Sequence, residues 1–203
     1  GSALASIMAA AGYDVSREYY INDTGTQMGA FARTIYAHYL RAQGRDAEIP
    51  PDGYMGAYMV DLAREVVEME KDRFLQMPED EAVSALREIG LKEMLRSIRE
   101  DLERIRVEFD VWFSEKSLYD SGDYEAAMDI LRQSGYLAER EGATWFTSTA
   151  LGEDKDNVLV RSTGAPTYFA SDIAYHYNKL LKRGYDWVVN IWGADHQGHV
   201  SRM

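Results

Sequence analysis

Apolar positions recur along this chain with two periods, and the switches between them outline its elements. The first ten residues after Gly1 are small and apolar and read as a helix closed by Gly12. Residues 14–21 read as a strand, and Asn22-Asp23-Thr24-Gly25-Thr26-Gln27 as the polar turn that ends it. Phe31, Ile35 and Tyr39 then stack at helical spacing within 28–43. After a loop marked by Pro50-Pro51-Asp52-Gly53, the helical period returns over 57–74 through Met59, Leu62, Val66 and Met69. Pro78 with three following acids opens a helix expected to run to Ile89 and break at Gly90, and a second is expected over 91–106. Residues 107–113 alternate as a strand, and 123–134 form a short helix. A hairpin is expected over 137–149 about Glu141-Gly142, with a further strand over 158–161. The last forty residues predict strand–helix–strand. They comprise a short strand over 167–170, a helix over 172–182 capped by Ser171, and a buried strand over 187–192 stopping at Gly193.

That last strand is followed at once by Ala194-Asp195-His196-Gln197-Gly198-His199. Polar groups between glycines at a strand's carboxyl end are where an open α/β sheet meets a ligand. Tyr168 and Asp172 fall where the preceding strand is expected to turn into its helix, so both face the same edge. Taken as bare patterns, these segments are equally an ordinary polar turn, a core tyrosine and a helix-start acid. His176, four residues after Asp172, reads as structural, and His38 as a surface or half-buried residue.

Composition narrows the class without deciding it. The chain has 203 residues, no cysteine, and 22 basic against 34 acidic residues, net −12. The lack of cysteine removes disulfides, thiolate nucleophiles and Cys-based zinc sites, and fits a cytoplasmic location. The acidic balance argues against a surface that coats nucleic acid by phosphate contacts. No apolar run approaches a membrane span, so no membrane role is expected.

Four segments taken in order resemble the catalytic domain of arginyl-tRNA synthetases, which are class I aminoacyl-tRNA synthetases. They are 19–27 (YYINDTGTQ), 109–115 (FDVWFSE), 167–176 (TYFASDIAYH) and 192–200 (WGADHQGHV). The last carries the Gly-x-Asp-x-x-x-His pattern in Gly193, Asp195 and His199. The resemblance spans essentially the whole chain. It implies a partial Rossmann-like parallel α/β sheet of the class I type with largely helical insertions. Catalytic segments are expected at 1–28, 94–121 and 166–203, a helical insertion at 29–93, and a second insertion of helix plus hairpin at 122–165.

It further implies an arginine–tRNA ligase that activates arginine with ATP and transfers it to tRNA(Arg). ATP with Mg2+ is then substrate and counter-ion, and no tightly held protein metal is expected. By the same resemblance, Tyr168, Asp172, Asn22, Asp23 and Gln27 belong to the arginine site. Gly193, Asp195, His196, Gln197 and His199 belong to the ATP site. The family's His-x-Gly-His turn, its Lys-Met-Ser-Lys-Ser-type loop and its anticodon-binding domain are expected outside these 203 residues. The catalytic signature residues would lie there too, along with most of the contact to tRNA. The isolated stretch is therefore expected to form no adenylate, and the parent enzyme to be monomeric.

Two other readings remain open on residue chemistry. Asp195, His196 and His199 have the types for a metal-dependent hydrolase. The helical middle, alternatively, is a non-catalytic interaction module.

Overall fold

The computed structural model describes residues 1–202, except for the side chains of Asp195, His199, Ser201 and Arg202. Its organising element is a pair of parallel strands, β1 (Glu18–Ile21) and β2 (Val111–Ser114), in register from Glu18 opposite Val111 to Ile21 opposite Ser114. Parallel strands need a long crossover. Here it is a helical unit of α2 (Gly25–Ala42), α3 (Tyr58–Glu70) and α4 (Glu79–Arg104). The apolar stripes noted above meet inside it: Ile35, Tyr39, Met59, Val66, Phe74 and Leu86 are fully buried in one cluster. Each such side chain contributes roughly 1.5–3 kcal/mol by leaving water. The Tyr39 hydroxyl, buried with its ring, donates to the Lys71 carbonyl at 2.6 Å, so its burial strands no polar atom.

Gly90 does not break its helix. α4 runs unbroken for 26 residues, across the boundary expected after residue 93. The glycine is there for closeness: a Cβ at position 90 would lie 2.3 Å from Ile35 Cδ1 and 3.1 Å from the Phe31 ring. An isolated glycine within a helical pattern thus marks the point where α4 crosses α2.

After β2 come α5 (Lys116–Asp120) and α6 (Asp123–Gln133), then an antiparallel sheet of β3 (Leu137–Arg140), β4 (Ala143–Phe146) and β5 (Asn157–Val160). The β3–β4 turn lies at Glu141-Gly142 as expected, both residues having positive φ (52° and 73°). That is the geometry a two-residue hairpin demands. α7 (Tyr168–Tyr177) packs on this sheet, on α6 and, through Tyr175, against the rings of Tyr20 and Phe113 on the parallel pair.

Two of the expected strands are absent. Residues 168–170 already belong to α7. Thr167, extended, is held on β5 by its amide to Leu159 O (2.8 Å) and its hydroxyl to Val158 O (2.9 Å), so the strand-like character ends there. Residues 187–192 form no strand and pair with none among the described residues, and Trp187 (65 %), Val189 (47 %) and Ile191 (60 %) are exposed. Without a ladder partner an apolar run is not a strand, whatever its pattern. The strands at 14–21 and 107–113 shrink to their paired cores for the same reason. α1 (Ser2–Ala10) forms as expected but buries no residue. No helix among the described residues is long and apolar enough to cross a membrane.

Candidate functional site

The carboxyl ends of β1 and β2 lie side by side, and the turn after β1 is tied across them. Ser114 donates its hydroxyl to Asp23 Oδ2 at 2.5 Å, and the Lys116 amide donates to Asp23 Oδ1 at 2.9 Å. From the helical insertion, Arg87 Nη2 donates to the Asp23 carbonyl at 2.7 Å. Asp23 is thus buried and spends both carboxylate oxygens inward. Its neighbours Asn22 and Gln27 are exposed and line an open cleft of about 1710 Å³.

The opposite wall of the cleft is α7. Thr167 fixes where this helix begins, and helical spacing then puts Tyr168, Asp172, Tyr175, His176 and Lys179 along the cleft. Tyr168 is half exposed, with its hydroxyl reaching toward the start of α2; a Cβ at Gly25 would lie 3.7 Å from it. Asp172 is partly buried. The structure therefore brings Asn22, Gln27, Tyr168 and Asp172 to one cavity and turns the Asp23 side chain away from it.

A further acid lines the same cavity. Glu115 directly follows β2, its amide bonded to Ile21 O at 3.0 Å, and is only 2 % exposed. The Tyr20 hydroxyl is hydrogen-bonded to it, and burial, then the charges of Glu115 and Asp172, push the Tyr20 phenol far above its ordinary range. That phenol stays protonated and serves as a donor to Glu115 within the field of Asp172. Glu115 closes the 109–115 segment of the resemblance but was given no site role, since its burial depends on a strand pairing across ninety-odd residues. Arg87 was equally invisible.

Another acid of the cleft, Glu18, is neutralised locally. Arg183 grips it with two bonds of 2.6 and 3.0 Å, and the Tyr175 hydroxyl donates to it as well. This bidentate pair holds β1 to the end of a π-helical turn, Asn178–Lys182, that continues α7. Burial lowers Lys179 to about 8, although Glu18 and Asp172 favour its charge. His176 is held below its ordinary range, chiefly by burial.

The segment after residue 192 forms 3-10 turns over Ala194–Arg202. His196 and Gly198 line the cleft, with the His196 ring 6.2 Å from that of Trp192. Gly193 and Gln197 are exposed and are not among its lining residues. The side chains of Asp195 and His199 lie outside the described residues, and with them the proposed metal set. Among the described residues no three His, Asp or Glu side chains converge as a metal site.

Residues 1–203 match the family model described as tRNA synthetases class I (R), catalytic domain. Among curated proteins, the arginine–tRNA ligase of Dehalococcoides mccartyi is 61 % identical over all 203 residues, and that of Carboxydothermus hydrogenoformans 53 %. The chain spans 36 % of the length of each of these relatives. Among solved structures, a Campylobacter jejuni protein assigned as an arginyl-tRNA synthetase superposes with a TM-score of 0.89 at 35 % identity, covering 100 % of this chain and 44 % of that one. The Thermus thermophilus arginyl-tRNA synthetase gives 0.58 at 26 % identity, covering 89 % of this chain and 32 % of that one.

Proposed function

Because the chain belongs to the catalytic-domain family of class I tRNA synthetases for arginine, we propose that it forms the amino-acid pocket and part of the nucleotide edge of an arginine–tRNA ligase. The observation that carries this reading is the pair of acids, Glu115 and Asp172, that line the cleft and both bear on the half-buried Tyr20 phenol. Such a pocket favours a cation. A guanidinium, with its rigid fork of donors, matches carboxylates better than an ammonium does. Asp172 receives the fork at the cleft wall, Glu115 supplies the second charge from below, and the Tyr168 ring and hydroxyl close over the planar cation. Asn22 and Gln27 face the polar end of the amino acid, while Asp23 holds the turn that carries them.

In the proposed reaction the arginine carboxylate attacks the α-phosphate of ATP, pyrophosphate leaves, and the arginyl group then passes to the 3′-terminal ribose of tRNA(Arg). This is chemistry of position and charge, needing cradles rather than a nucleophilic side chain. Gly193 to His199 form the nucleotide edge, with Asp195 on the ribose. ATP enters with Mg2+, whose charge offsets that of the phosphates. The tRNA is held mainly by parts of the parent enzyme outside these residues, consistent with a net charge of −12 here. The parent is proposed to act as a cytoplasmic monomer.

The test is Asp172→Asn in the full-length parent. Losing a charge-assisted, paired contact to the cation costs about 3–4 kcal/mol, so kcat/KM for arginine in tRNA arginylation should fall roughly 100- to 1000-fold. The KM for ATP should stay within about twofold, because Asp172 faces only the amino acid. Binding of citrulline, which has the shape without the charge, should be unaffected. A variant that charges tRNA with wild-type arginine dependence would overturn the assignment.

A further inference from the structure

One polar chain in the cleft is left over once the pocket and the nucleotide edge are assigned. His176 Nδ1 lies 2.8 Å from the Asp172 carbonyl oxygen. A carbonyl only accepts, so Nδ1 carries the proton and, in a neutral ring, Nε2 offers a lone pair. Asn190 Nδ2 lies 2.9 Å from Nε2 and donates to it, which orients the amide. Its Oδ1 then faces Lys179 Nζ at 2.8 Å and accepts from it. One assignment of protons satisfies every contact. Reversing the amide would set its NH2 against the ammonium and its oxygen against a lone pair.

The three residues span two parts of the site. His176 and Lys179 belong to the helical run of α7, one and two turns beyond Asp172. Asn190 belongs to 187–192, which has no strand partner among the described residues and leads directly into the Gly193–His199 edge. Lys179 is 5 % exposed, with its ammonium 4.0 Å over the centre of the Tyr175 ring, so its end of the chain is fixed as well. The Asp172 whose carbonyl starts the chain is the residue whose carboxylate faces the amino acid.

We propose that His176, Asn190 and Lys179 are positioning residues that dock segment 187–192 on α7, and so set the nucleotide edge at a fixed distance from the amino-acid pocket. The functional half of this inference rests on the arginine–tRNA ligase reading; the docking half does not. None of the three is among the residues proposed above to hold arginine or ATP. A misplacement of about 1 Å between reacting groups costs on the order of 100-fold in rate, so such an anchor is felt in turnover rather than in amino-acid affinity.

The test compares His176→Gln with His176→Phe in the full-length parent. Glutamine keeps an acceptor for Asn190, and phenylalanine keeps the ring volume without one. His176→Phe should lower kcat for arginylation about tenfold or more and raise the KM for ATP, with the arginine KM within about twofold; His176→Gln should recover most of the loss. Independently of activity, amide hydrogen exchange over 187–192 should quicken about tenfold in the phenylalanine variant and little in the glutamine variant. Asn190→Leu should reproduce the phenylalanine pattern in both readouts. Equal exchange and equal kinetics in the two His176 variants would overturn the proposal. A wild-type enzyme that does not charge tRNA(Arg) would overturn the ligase reading, and the exchange comparison would still decide the docking.

Discussion

Gly90→Ala places a methyl at the crossing of α4 and α2, where two effects oppose. Alanine is favoured over glycine inside a helix by about 1 kcal/mol. Against this, the new Cβ would stand 2.3 Å from Ile35 Cδ1 and 3.1–3.2 Å from two Phe31 ring atoms. Carbon atoms rest about 3.5–4.0 Å apart, so the Ile35 methyl must retreat by more than about 1 Å. Ile35 is fully buried in a packed cluster, and overpacking of this kind costs roughly 1–3 kcal/mol. The expected balance is a loss of about 1 kcal/mol, the steric cost outweighing propensity. Ile35→Val removes the clashing methyl and by itself should cost about 0.5–1.5 kcal/mol. In the double variant the alanine methyl fills the space the valine vacates, so the pair should be at least about 1 kcal/mol more stable than the sum of the singles. Amide exchange over α2 and α4 in the full-length protein reads these values locally, without requiring two-state unfolding of a large enzyme. Additive singles, or a Gly90→Ala variant stabilised by the full propensity gain, would refute a close approach at this glycine. Arg87 lies one helical turn before Gly90 and holds the Asp23 carbonyl. The single variant should therefore also raise the arginine KM modestly, and the double variant should restore it.

Asp23→Ala leaves the Ser114 hydroxyl and the Lys116 amide without their acceptors; the expected cost is about 2–3 kcal/mol in thermal stability, with a parallel, modest loss of arginine affinity in equilibrium dialysis as the turn bearing Asn22 and Gln27 loosens. A large affinity loss at unchanged stability would make Asp23 a substrate contact instead. Arg183→Met strands a Glu18 carboxylate that is 13 % exposed, and should destabilise by about 3 kcal/mol in urea unfolding; Glu18→Gln in the same chain should return part of it. Lys179 offers a pH test. Its folded value of about 8 lies below the ordinary 10.5, so between those pH values the unfolded chain binds more protons and stability rises with pH. The slope contributed is at most about 1.4 kcal/mol per pH unit, and below pH 8 the group contributes none. Lys179→Met should lack this slope, and urea midpoints for the two proteins that stay parallel from pH 7 to about 10.5 would refute the burial argument.

The helical stripes were legible because their period is local: Phe31, Ile35 and Tyr39 declare one face within nine residues, and the structure buries all three. The Glu141-Gly142 turn was legible for a similar reason, since two adjacent residues carry its chemistry. Local pattern failed where the deciding partner was remote. Gly90 looks like a helix end until Ile35 is placed beside it. Thr167-Tyr168-Phe169 has strand-like side chains, yet only Thr167 bonds to β5 and the rest turn into α7. Residues 187–192 have the composition of a buried strand, but a strand is a property of a pair, and the described residues hold no partner for it.

The same distinction explains which site residues could be read in advance. Tyr168 and Asp172 were placed by the family resemblance, at a point where the local pattern reads only as a strand turning into a helix, whereas Glu115 and Arg87 gain meaning only through contacts 64 to 94 residues long. The turn at Asp23 is held by β2, by the start of α5 and by an insertion helix at once. The helical insertion is therefore part of the pocket's foundation, although none of α3 or α4 lines the cleft. A binding module merely attached to the catalytic sheet would leave the turn intact when its own packing was disturbed. Here Arg87 ties the helical core to the turn beneath the proposed amino-acid pocket, so a substitution buried among α2, α3 and α4 is expected to register in arginine affinity before it unfolds anything.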